Sequence, residues 1–190
     1  MGSTMTNDTL IGRRPLWRGV RWLLWAGLAA MLLLPLIAMQ FTSEVNWTAM
    51  DFMVMGTMLA LVGGAFELVM RVARSPLYAF GAGVAVAAAF LTTWVNLAVG
   101  IIGNENNPVN LAFFLVPAIA FIGALLARFA PAGMVRAMIA AAIMQAATCM
   151  LSYLEGEPVA VAFTAMMTGM WLLSAALFDR AARAPTPATD

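Results

Sequence analysis

Six apolar stretches of close to twenty residues alternate with short polar breaks, and arginine marks every second break. This alternation constrains the chain more than any other feature. The hydrocarbon core of a bilayer, about 30 Å thick, is crossed by roughly 20 apolar residues in a helix. The stretches run over residues 22–40, 52–70, 77–102, 111–127, 137–153 and 159–178. Open strands would leave backbone groups unpaired in lipid, so each stretch must be a helix. Composition agrees: 63% of the 190 residues are hydrophobic and 10% are charged. A water-soluble domain with that balance would carry a largely apolar surface. The first stretch exceeds the usual signal-peptide core of about 7–15 residues and lacks a small-residue cleavage site, so it reads as a retained span.

The arginines set the threading. Arg13, Arg14, Arg18 and Arg21 precede the first span, and Arg71 and Arg74 follow the second. Arg128 and Arg136 flank the fourth connection, and Arg180 and Arg183 follow the sixth span. The three other connections carry Glu44, Asp51, Glu105, Glu155 and Glu157 with no basic residue. Basic residues favour the cytoplasmic side, so both termini are expected there. Trp17, Trp22 and Trp25 fall where an interfacial aromatic belt belongs. The expected fold is an all-α integral membrane protein of six helices in three hairpins. Residues 1–21 form an arginine-rich cytoplasmic segment, 22–178 the membrane domain, and 179–190 a cytoplasmic tail.

Missing residue types narrow the function. The chain has no histidine, and its ten basic residues are all arginine. A lysine Schiff base, a histidine-ligated haem or zinc, and a histidine base are therefore excluded. The single cysteine, Cys149, can form no intrachain disulfide. No enzymatic activity and no cofactor are expected. A net charge of +1 with arginines spread along one membrane fringe does not suit nucleic acid.

Two sequences stand out, "EVNWTAMDF" (44–52) and "WVNLAVGIIGNENNPVN" (94–110). Together they resemble an uncharacterised family of small multi-pass bacterial inner-membrane proteins, over residues 44 to 136. The resemblance implies topology and a bacterial setting, with no activity, substrate or cofactor. The tail of the second motif, "ENNPVNLAF", also aligns without gaps on "EGEPVAVAF" (155–163). This echo suggests a parallel repeat, 77–128 against 137–178, and equally fits shared turn chemistry.

The polar residues divide into two groups. In the outer loop, Gly103 suits the end of the third helix, and Asn107 with Pro108 reads as a cap followed by proline at the first helical position. Glu105 suits a helix start, and Asn104, Asn106 and Asn110 can satisfy turn backbone. Within the spans, Asn96 belongs to a small-residue stripe with Gly81, Ala85, Ala88, Thr92 and Gly100, expected about 9 Å inside the third helix. It reads either as glue between helices or as the lining of a cavity. Glu67 lies on a stripe with Gly56, Ala60, Gly63 and Arg71, and reads as an ion-coupling carboxylate or as an interfacial partner of Arg71. Gln145, Thr148 and Ser152 mark the fifth span, and Thr164 and Thr168 the sixth. Met50, Met53, Met55 and Met58, with Met39, offer thioethers to Cu(I), but they do not share one helical face, and methionine is an ordinary apolar filler. Two functions follow. One is a transporter or channel for a small solute or ion, with Glu67, Asn96 and Gln145 in its polar interior. The other is a non-catalytic structural or accessory subunit packed against another membrane complex; another membrane protein or a homo-oligomer is the protein partnership open to the chain. The lipid bilayer is the partner common to both.

Overall fold

The computed structural model describes residues 8–184, with side chains from Gly19 onward. Arg13, Arg14, Arg18, Trp17 and the tail beyond Ala184 therefore lie outside the described side chains. The described residues are all-helical: α1 (Asp8–Ala38), α2 (Ala49–Val72), α3 (Pro76–Ala98), a 3₁₀ helix (Pro108–Phe114), α4 (Leu115–Leu126), α5 (Pro131–Leu154) and α6 (Pro158–Arg183). Six spans are long and apolar enough to cross a membrane, with the 3₁₀ helix and α4 together forming the fourth.

Helix starts account for much of the polar sequence. Ser75 caps α3, its hydroxyl accepting from the Tyr78 amide at 3.2 Å, and Pro76 follows at the first helical position. Pro131 and Pro158 open α5 and α6 in the same way, where a missing N–H costs nothing. The "NWTAMDF" run is a reciprocal cap on α2. The Thr48 amide and hydroxyl both donate to Asp51 Oδ2, at 2.7 and 2.8 Å, and the Asp51 amide donates back to Thr48 Oγ1 at 3.4 Å. Trp47 and Phe52 meet edge to face across this turn, centroids 5.2 Å apart, as a hydrophobic staple does. Replacing Thr48 by Ala removes the cap and should cost about 1 kcal/mol. A thermal unfolding curve of the detergent-solubilised protein checks this, with Thr48→Ser expected to retain wild-type stability.

The chain forms two compact units, residues 1–65 and 66–190. In the first, α1 packs antiparallel to α2 through the small residues of the α2 stripe. A Cβ placed on Gly63 would lie 2.6 Å from the Trp25 ring, and one on Gly56 would lie 3.7 Å from Leu32. Both contacts step by seven residues, so two turns of each helix stay in register. Apart from Leu59 and Gly63, the described side chains of this unit stay at least partly exposed, as lipid-facing helices do.

In the second unit α3 packs on α6, α4 on α5, and α5 on α6, while α3 and α4 scarcely touch. The α3–α4 hairpin is thus opened, and its two arms embrace the α5–α6 hairpin. Alanines make this possible: Ala82, Ala88, Ala120, Ala124, Ala137, Ala141, Ala142 and Ala175 are all buried in one core with Trp171 and Phe178. Small side chains let helix backbones approach where lipid offers no hydrophobic drive. Ser174 Oγ donates to the Gly81 carbonyl at 2.8 Å, joining α6 to α3.

The end of this unit bearing residues 73–75 and 128–130 is closed by aromatics. Tyr78 meets Phe178 edge to face at 4.9 Å, and its hydroxyl donates to the Phe129 carbonyl at 2.8 Å. There α4 ends in a paired cap, Phe129 N donating to Ala124 O and Arg128 N to Leu125 O. This termination usually places glycine in the left-handed region, yet Arg128 and Phe129 occupy it with φ of 48° and 58°. The Tyr78 bond helps hold that strained turn.

Several expected boundaries shift, with α5 starting at Pro131 and α6 running on to Arg183, and two of the shifts shape the site. The third helix ends at Ala98, before the expected residue 102, and Gly100 with φ +72°, not Gly103, terminates it. The Gly100 amide still reaches the Asn96 carbonyl at 3.2 Å, the bond of a left-handed helix stop. The fourth span, expected to be one helix from residue 111, enters as the 3₁₀ helix and turns α-helical only at Leu115.

Candidate functional site

Between Val99 and Asn107 the chain folds back onto the bundle, and Asn110 holds it there. Asn110 Oδ1 accepts from the amides of Ile101 (3.2 Å) and Ile102 (2.9 Å). Its Nδ2 donates to the carbonyls of Ile102 (3.1 Å) and Asn104 (2.8 Å). Its own carbonyl accepts from Asn96 Nδ2 at 3.0 Å. One carboxamide therefore satisfies four backbone groups of a loop that is neither helix nor strand. This matters because buried backbone without partners is costly.

The clamp fixes an apolar plug. Ile101 and Ile102 are buried with Phe113 from the 3₁₀ helix and Ala160 from α6, flanked by Val95, Val109, Leu151 and Phe163. Gly100 is what lets the chain enter this fold. A Cβ there would lie 2.3 Å from the carbonyl carbon of Asn104 and 2.6 Å from the Glu105 amide. Around the plug, Asn107 Oδ1 accepts from the Val109 amide at 3.0 Å and starts the 3₁₀ helix ahead of Pro108. Asn104 Oδ1 accepts from the Asn106 amide, and Asn106 Nδ2 donates to the exposed Glu105.

Below the plug lies a layer of buried polar side chains. Thr92 and Asn96 come from α3, Gln145, Thr148 and Ser152 from α5, and Thr164 from α6, none more than 4% exposed. Most hydroxyls are committed to their own helices. Thr148 Oγ1 donates to Gln145 O, Ser152 Oγ to Thr148 O and Thr164 Oγ1 to Ala160 O, at 2.8, 2.9 and 2.7 Å. Half-buried Thr168 does the same to Thr164 O. Such back-bonds are the ordinary resting state of Ser and Thr in apolar helices. Among the described residues four buried atoms stand apart, having no protein partner: Thr92 Oγ1, Asn96 Oδ1, Gln145 Oε1 and Trp171 Nε1. The layer is uncharged and offers hydroxyl and carboxamide hydrogen bonds.

The sequence candidates thus separate. Asn96, Gln145, Thr92 and Thr148 come into one buried layer. Asn107, Pro108 and Asn110 build the loop above it, and Glu105 sits at the exposed edge of that loop. Asn96 lies in the last turn of α3 instead of about 9 Å within it, because the helix is shorter than expected. Glu67 is apart from this layer, half-buried near the end of α2, and it has an interaction partner. Met50 and Met53 are exposed, while Met39, Met55 and Met58 are half-buried.

Sequence reasoning missed Gly100 as the essential glycine, Ser174 as a cross-helix donor, and Trp171 as a buried polar group. Only the first left a signal: a glycine one turn after a polar residue near the end of a span. Searches of protein-family models, curated proteins and solved structures give no match to this chain.

Proposed function

We propose that the chain is a small bacterial inner-membrane protein of transporter or channel type, acting on a small solute or ion through the unit built from α3 to α6. The observation that carries this reading is the set of buried polar atoms without protein partners, held between an apolar plug and an aromatic closure. A bundle built for packing alone gains nothing from carrying such atoms, each of which costs about 1–3 kcal/mol if left unpaired. The segregation of arginine supports a threading with both termini in the cytoplasm, which puts the plug at the outer face. The loop would then be the outer gate and the Tyr78–Phe178 pair the inner one.

Flux of small solutes and monovalent ions from proteoliposomes tests the proposal. Wild-type protein is expected to conduct at least one of them, with Gln145→Leu reducing flux about tenfold, the worth of roughly one hydrogen bond at 1.4 kcal/mol. Folded wild-type protein that passes none of the panel overturns it. A second reading, an accessory subunit, draws on the first unit, where large apolar side chains such as Leu33, Leu34 and Leu61 remain exposed. It expects a stoichiometric membrane-protein partner in mild detergent. Recovery only as a lone protein or homo-oligomer counts against it.

A further inference from the structure

We infer that the polar layer between α3, α5 and α6 is a binding site for small uncharged molecules that both donate and accept hydrogen bonds, water being the simplest. The inference holds whether or not anything is moved across the membrane.

The helix registers bring two of the four unpartnered atoms, Thr92 Oγ1 and Gln145 Oε1, to one level. Ser174 on α6 is bonded to Gly81 on α3, and the two helices run antiparallel. Thr92 is eleven residues beyond Gly81 and Thr164 ten before Ser174, rises of about 16 and 15 Å. Cys149 Sγ, 3.7 Å from the Val161 carbonyl, sets the register of α5 against α6. From that contact Gln145 lies about 6 Å along and Thr164 about 4.5 Å along, in the same direction. Thr92, Gln145 and Thr164 therefore share a level, with Asn96 one turn nearer the plug. Trp171 is about 10 Å further from the plug by helix rise. Side chains lean toward the N-terminus of their own helix, so Trp171 leans toward the layer, while the Gln145 carboxamide turns the other way, its nitrogen on Thr148 Oγ1.

The chemistry of the free atoms selects the ligand. Asn96 presents its amide nitrogen to the Asn110 carbonyl, which can only accept, so its oxygen must face elsewhere. Gln145 presents its nitrogen to Thr148 Oγ1 at 3.0 Å, a hydroxyl whose proton is already given to the Gln145 carbonyl. Two carboxamide oxygens and the Thr92 hydroxyl thus remain, along with one indole N–H. A bare cation would find no carboxylate to offset its desolvation. An anion would face oxygen acceptors. A neutral molecule carrying both O–H donors and a lone pair answers the two carboxamide oxygens and the Thr92 hydroxyl, and buried water ordinarily makes two to four such bonds; the indole N–H, about 10 Å away by helix rise, belongs to a second such molecule.

Pulsed radiolysis in ¹⁸O-water, read by mass spectrometry on protein in nanodiscs, tests the site without any variant. Met167 and Met138 are both buried, at 0% and 2% exposure, and Met167 lies one turn from Thr164. Met167 is expected to take up ¹⁸O about tenfold faster than Met138, because held water sits beside it. The double variant Thr92→Val with Gln145→Met should lose that excess and melt at a lower temperature. Equal labelling of Met167 and Met138 in the wild type overturns the inference. So does a higher melting temperature for the double variant, since apolar replacements stabilise a protein when they remove polar atoms that nothing satisfied. If the double variant does not fold, the wild-type comparison decides alone. Adding glycerol separates the sources: a fall in the Met167 label means the layer admits solutes, and an unchanged label means that it holds water only.

Discussion

Replacing Gly100 by Ala is expected to destabilise the protein by about 2–4 kcal/mol, with a melting temperature lower by roughly 5–15 °C. Two costs add at this position. The backbone is in the left-handed region with φ +72°, worth about 1–2 kcal/mol to any L-residue with a Cβ. The new methyl would also press on the carbonyl carbon and oxygen of Asn104 at 2.3 and 2.5 Å. These are backbone atoms, so no side-chain rotation relieves them. Gly103 and Gly156 supply the control. Their φ values, +69° and +75°, are nearly the same, but a Cβ on Gly103 meets only the side-chain Nδ2 of Asn107 at 3.3 Å and one on Gly156 meets nothing within 4 Å. Alanine at either should cost about 1 kcal/mol. Thermal unfolding of the three variants side by side separates backbone conformation from close approach. Equal losses at all three positions would mean that the fold-back of the loop onto Gly100 is wrong.

Asn110→Ala is the second large effect. The substitution deletes four hydrogen bonds to buried or half-buried backbone of the plug, leaving amides and carbonyls that cost about 1–3 kcal/mol each when unsatisfied. Water entering the loosened plug recovers part of this, so the expected net loss is about 3–5 kcal/mol. Asn110→Asp keeps both accepted bonds but sets a carboxylate oxygen against the Ile102 and Asn104 carbonyls that Nδ2 now donates to, and should be no more stable than Asn110→Ala. Glu105→Gln, at the exposed edge of the same loop, should change stability by less than about 0.5 kcal/mol. A reversed order, with Glu105 the more sensitive, would place the importance of this loop in its charge and not in its clamp.

The fold was legible because lipid removes choices. Any apolar stretch of the right length must be a helix, so six helices could be read from periodicity-free composition. Helix starts were legible only in part. Caps are local, and "NNP" was read as one, but the equally local Thr48–Asp51 cap was passed over and α5 begins at Pro131, six residues before the expected span. What stayed hidden was the path of the chain after α3. Gly100 and Gly103 are three residues apart and both adopt positive φ, and the choice between them as terminator depends on Asn110, whose reach is not a local property. The apolar pair Ile101–Ile102 looked like more helix, since burial in a plug and burial in a span leave the same residue types. The layer was half legible. Asn96, Thr92, Gln145 and Thr148 were marked as polar faces, but which atoms are satisfied follows only from the way α3 crosses α6 and α5 pairs with it. Trp171 gave no sign, because an indole in an apolar helix is ordinary until its N–H is found without a partner.

The central claim is that "GIIGNENNPVN" is a clamped plug over a buried polar layer and not an open, solvated loop. Amide hydrogen exchange of the protein in nanodiscs, resolved by residue, tests it most directly. The Ile101 and Ile102 amides, both bonded to Asn110 Oδ1, are predicted to exchange about 10³-fold or more slowly than the exposed Glu105 amide, with a protection approaching that of α5 and α6. Exchange of Ile101 and Ile102 at the rate of Glu105 would contradict the account.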